Sequence, residues 1–159
     1  MTVKGGAAAG SVVTGAASFL YGTGGSTTTL EDVKFNLTAK VVAGDAGGRP
    51  NEVTANNVTV AGALTAALGN AGAATVTVTG ASTLGALTET GYVVGALLDG
   101  TTVKGAVTVK ATYQGDLQID GATVNGTVTL TGALPSIHAT GDGTLIKGNL
   151  ALTGTGWTR

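Results

Sequence analysis

The chain has 159 residues, room for one domain with a sizeable core but not for two large ones. Hydrophobic residues make up 43% of it and charged residues only 11%, against roughly 25% in an ordinary soluble domain. With a formal net charge of -1 and Lys and Arg scattered singly, there is no basic stripe to neutralise a row of phosphates, which argues against nucleic acid as a partner. The absence of cysteine rules out a disulfide framework and a thiolate metal site, and it leaves the redox compartment open.

Twenty-eight glycines, abundant Thr and few aromatics point away from helices, because Gly and Thr are poor helix formers while Thr suits strands. An all-β protein is expected. Taken in chain order, residues 1–30 read as an extended arm. Repeated Gly and Thr interrupt the apolar run a signal peptide needs, and no stretch reaches the roughly 18 unbroken apolar residues of a membrane span, so no membrane is expected. Phe19, Leu20 and Tyr21 form the one bulky apolar cluster of the arm and are expected to contact a neighbouring molecule. Residues Val33 to Thr38 faintly echo a later repeat, and Gly44 to Asn51 is a loop by its Gly, Pro and Asn content. Residues 1–52 are therefore set apart as an arm with an irregular first coil, a region for partner contact, and 53–159 as the repeat domain.

From residue 53 a repeat is visible. The phrase x-Gly-x-(Leu/Val)-(Thr/Ala) recurs around Gly62, Gly85, Gly105, Gly126 and Gly148, at spacings of 23, 20, 21 and 22 residues. A second column runs five residues ahead, through Asn57, Gly80, Gly100, Gly121 and Gly143, the last three preceded by Asp99, Asp120 and Asp142. Each copy begins with a turn and continues into a strand in which Val103, Val107 and Val109 share a face with Gly105. Glycine in that column implies a bend or a close approach of backbone. A copy of about 21 residues cannot enclose a core alone, whereas stacked copies share one. The expected fold is a single-stranded β-helix, a solenoid of about five such coils with the arm in front. Its open edges need caps or partners.

Between Val53 and Leu98 the only charged residue is Glu89. Part of this span is expected to be covered by other subunits, with a cyclic trimer the favoured arrangement; small Ala and Thr on exposed faces are the competing explanation. Three groups of residues invite a chemical reading. Asp99, Asp120 and Asp142 would form a carboxylate ladder able to hold Ca²⁺ or to act as an acid/base pair, although Asp-Gly is first of all a turn signal. Ser136, His138 and Asp142 name the members of a triad, but nearness along an extended strand does not make them converge. Trp157, the only tryptophan, is expected to cap the last coil or to anchor a partner. No cofactor is expected, and no enzymatic activity.

The Asp-Gly-x-Thr-Val-x-Gly-x-Val-Thr-Val phrase at 99–109, with the Gly/Ala/Thr/Val texture around it, resembles the short β-helical structural proteins of tailed bacteriophages. That resemblance covers roughly residues 53–159. It implies a virion structural protein, most readily a trimeric cement or decoration protein on the capsid surface. Such a protein would be assembled in the host cytoplasm and bind the major capsid protein or another virion protein. A tail fibre or spike, or a self-polymerising scaffold, keeps the fold and changes the partner. A minimal polysaccharide-degrading enzyme built on the three aspartates is the third reading.

Overall fold

The computed structural model describes residues 1–5, 11–45, 47–69 and 72–156. They form a parallel β-solenoid without a helix, in which the chain winds past three faces on every turn. Face 1 stacks Thr2–Lys4, Ser26–Glu31, Asn51–Asn56, Ala73–Thr79, residues 93–99, residues 114–120 and Leu134–Thr140. Face 2 stacks Ser11–Val13, Val33–Phe35, residues 59–60, residues 83–84, Thr102–Val103, Thr123–Val124 and Leu145–Ile146. Face 3 stacks Ala17–Leu20, Ala39–Val42, residues 64–67, residues 87–90, residues 107–110, Val128–Gly132 and Leu150–Gly154. Each ladder has seven rungs, so the described chain makes about six turns.

Strand alternation explains the interior. Residues two apart share a side of a strand, and the apolar member of each alternation points inward. On face 1 the register stacks Val3, Leu30, Ala55, Val78, Leu98, Ile119 and Ala139. On face 2 it stacks Val13, Phe35, Val60, Leu84, Val103, Val124 and Ile146. Inside face 3 run Ala17, Ala39, Leu64, Leu87, Val107, Val128 and Leu150. The middle members of all three columns are fully buried. Each large one contributes about 1.5–3 kcal/mol.

The buried polar groups of the early tiers are satisfied. Ser26 donates its hydroxyl to Asn51 at 2.9 Å, and the Asn51 amide donates to the carbonyls of Leu68 at 3.0 Å and Gly44 at 3.3 Å. Ser82 accepts from the Val58 N–H and donates to the Thr79 carbonyl.

Residues 2–42, expected as an arm and an irregular coil, supply two tiers of the same solenoid, which brings the count to seven rather than five. Two features hid them. Along the Val3 column the step from tier to tier is 27, 25 and 23 residues before it settles to 20, 21 and 20, because the early corners carry longer loops such as 43–50. The left-handed turn that glycine makes in later tiers is made here by Asp32, with φ of 52°. Asp and Asn tolerate that conformation better than other side chains.

Candidate functional site: threonine columns, a buried glutamate and a polar face

The glycines singled out by the repeat have two distinct jobs. Gly85, Gly105, Gly126 and Gly148 stack at the corner between faces 2 and 3, where a β-carbon on any of them would overlap the backbone of the glycine in the preceding tier. Gly62 begins this column, with the Leu37 carbonyl 2.9 Å from where its β-carbon would be. These positions need glycine for close approach. Gly100 and Gly121 need it for a left-handed turn, at φ of 61° and 56°, in line with Asn57 at 53° and Gly80 at 67°.

Gly143 does not belong to that column. Asp120 pairs with Thr140, so the position after Gly121 is taken by Gly141, and Asp142–Gly143 bulges from a longer corner. The carboxylate ladder is accordingly two rungs long: Asp99 and Asp120 are in register, while Asp142 stands outside it. Among the described residues no three His, Cys, Asp or Glu side chains form a cluster able to hold a metal ion.

Phe19 turns inward and is buried in the core, so the expected contact cluster is divided. Leu20, on the opposite side of the strand, is 74% exposed, and Tyr21 is half-buried with its hydroxyl oxygen accepting from Thr28 at 2.8 Å. Trp157 lies outside the described residues.

Outside the solenoid, threonines line up where the core has Leu and Val. Thr59, Thr83, Thr102 and Thr123 form one column on face 2. Thr65, Thr88, Thr108 and Thr129 form another on face 3, and Thr29, Thr54 and Thr77 a third on face 1. The one charged residue of the 53–98 span does not join them. Glu89 stands in an inward column between Ala66 and Val109 and is fully buried. The outer surface contributed by residues 53–98 therefore carries no Asp, Glu, Lys, Arg or His side chain.

Neither carboxyl oxygen of Glu89 has a hydrogen-bond partner, and burial pushes its pKa from 4.5 up to about 8. Strand parity is the signal that locates it, since Leu87 and Glu89 sit two apart in one strand. No other buried residue of the described chain is titratable.

Face 1 of the last tiers carries a polar group that sequence reasoning missed. Ser136 donates its hydroxyl to Asp116 Oδ1 at 2.7 Å, Gln118 donates to Asp116 Oδ2 at 3.4 Å, and His138 Nε2 lies 3.9 Å from Oδ1. A nucleophilic triad needs histidine between serine and carboxylate. Here the carboxylate is in the middle and Asp142 takes no part. Just before residues 93–99 and 114–120 of face 1, Tyr92 and Tyr113 stack with ring centroids 5.7 Å apart, both more than 40% exposed. A cleft of about 390 Å³ follows the corner between faces 3 and 1 from Ala43 past Gly69 to Lys110. In comparisons with protein-family models, with curated proteins and with solved structures, nothing matches this chain.

Proposed function

We propose that the protein is a non-enzymatic structural subunit of a virion, a trimeric cement or decoration protein that stiffens a capsid shell through contact with the major capsid protein. The observation that carries this reading is the uncharged belt over residues 53–98, whose single carboxyl is turned into the core. Such a surface lacks the repulsion that keeps ordinary domains apart. Small Thr, Ala and Gly side chains let two solenoids approach closely, and closed cyclic symmetry covers the belt without leaving a sticky face. The contact with the shell falls to the first tier, where Val12 and Leu20 are exposed. Three weak contacts per ring bind by multivalency rather than by one strong site.

Mass measurement in solution tests the reading. A concentration-independent trimer supports it, and a monomer at micromolar concentration removes its main support.

A self-polymerising scaffold is favoured by a different observation. Leu150 and Leu152 extend columns that are fully buried at Val128 and Leu130, yet they are 52% and 46% exposed, with no further tier over them among the described residues. A second copy stacked on that edge would continue all three ladders. Electron microscopy of the purified protein separates the two readings, since end-to-end filaments belong to the scaffold alone.

A further inference from the structure

Six of the seven glycines within described strands are explained by their surroundings: a β-carbon at Gly62, Gly85, Gly91, Gly115, Gly132 or Gly154 would meet another atom within about 3.2 Å. Gly95 is the exception. It sits in an extended strand on the outward side of face 1, and its missing β-carbon would touch only Thr75 Cγ2 at 3.9 Å and the Ala74 carbonyl at 4.0 Å. Glycine in a strand weakens it, and where the chain itself offers no reason for one, the empty space marks the approach of something else.

That space is a depression of about 150 Å³. Thr75 and Thr77 line one side, Asp116 and Gln118 the other, and Leu97 provides an apolar patch beside Gly95. The Asp116 carboxylate is held in place by Ser136 and Gln118. Three residues before Gly95, at the register shift where the chain enters face 1, the stacked rings of Tyr92 and Tyr113 form an exposed aromatic platform.

We propose that this depression is a binding subsite for one pyranose unit of a neutral glycan. The unit's C–H face rests on Leu97, two of its hydroxyls donate to the Asp116 carboxylate, and a further unit of the chain lies on the tyrosine platform. A sugar combines adjacent hydroxyl donors with a flat apolar face, and this surface pairs acceptors with an apolar floor in the same way. The volume suits a single ring better than a folded peptide segment. A carboxylate on the wall selects against acidic sugars. Thr75, Thr77, Gly95 and Leu97 belong to the uncharged belt, so the site requires that face 1 stay clear of the subunit contact proposed above.

The test is a titration of the ¹⁵N-labelled full chain with three neutral probes, maltohexaose, cellohexaose and the hexamer of N-acetylglucosamine. The expected result is saturable amide shifts at Gly95, Leu97, Asp116 and Gln118 with at least one of them. Gly95→Val, whose β-carbon meets nothing closer than 3.9 Å, should leave the melting temperature essentially unchanged and weaken binding about tenfold or more. Asp116→Asn should weaken it comparably, as loss of hydrogen bonds to a charged acceptor does. The proposal is overturned if none of the three probes gives saturable shifts, or if Gly95→Val binds like the parent chain. It is equally overturned if oligogalacturonate binds as tightly as the neutral sugars. Shifts of the same four amides on concentrating the protein without sugar would assign the space to a second copy instead.

Discussion

Gly126 lies directly over Gly105: its N–H donates to the Gly105 carbonyl at 3.1 Å, and a methyl group on it would occupy the space of that carbonyl. The same overlap recurs between Gly148 and Gly126 and between Gly105 and Gly85, so one corner of the solenoid is a column of backbone on backbone. Rigid stacking at this corner keeps the three ladders in register.

Gly126→Ala should therefore destabilise the fold by about 2–3 kcal/mol, the usual cost of forcing atoms into a packed site. Gly15→Ala, at a position with open space and no left-handed backbone, should stay within about 0.5 kcal/mol of the parent chain. Urea unfolding of both variants checks the pair. Equal stabilities would mean that the corner relaxes freely.

The left-handed column makes a finer prediction. At Gly100, with φ of 61°, alanine should cost about 1–2 kcal/mol, and asparagine should cost clearly less, because Asn57 occupies the same position two tiers earlier. Thermal unfolding should rank the chains Gly, Asn, Ala in falling order. Asn and Ala behaving alike would show that the turn does not discriminate.

Glu89 makes stability fall as pH rises. Its pKa is about 4.5 in the unfolded chain and about 8 in the fold, so between these values the native state holds a proton that the unfolded state has lost. Stability from this group is fully present below pH 4.5 and is lost by pH 8, a change on the order of 4–5 kcal/mol. Glu89→Leu should remove that slope and raise the melting temperature at pH 8 by several degrees. Denaturant curves for the two chains at pH 5, 6.5 and 8 should diverge steadily. Parallel curves would mean that the carboxyl is hydrated or paired in solution.

The uncharged belt predicts its own disruption. Thr65→Lys together with Thr88→Lys places two like charges next to each other on face 3, directed outward. On the proposed trimer, the variant should keep its circular dichroism spectrum and its melting cooperativity while the sedimentation mass falls to that of a monomer. A variant that remains trimeric would move the subunit contact to another face.

How much could be read in advance differs from column to column. Gly105, Gly126 and Gly148 announce their stacking in the sequence because close backbone approach excludes every other residue type, so chemistry leaves a periodic mark. Asp99-Gly100 and Asp120-Gly121 do so through turn geometry, but Asp142-Gly143 carries the same dipeptide and stands elsewhere, since one longer corner shifts the register. The first tier was illegible, and the second showed only as the faint echo from Val33 to Thr38, because their loops vary in length and the turn is made by Asp32. The Asp116, Ser136 and His138 cluster was equally hidden: Asp116 lies 20 residues before Ser136 and meets it only when two particular strands are set side by side.

Sequence alone determined that this chain is all-β, that it repeats, and that Val103, Val107 and Val109 share one face, because strand alternation and glycine geometry are local properties. Tertiary structure decided how many tiers there are, that Glu89 is sealed inside while the belt around it is neutral, and which side chains share the outer wall beside Gly95. Those facts depend on register between strands one full turn apart, and corner loops of unequal length keep that register from being counted along the chain.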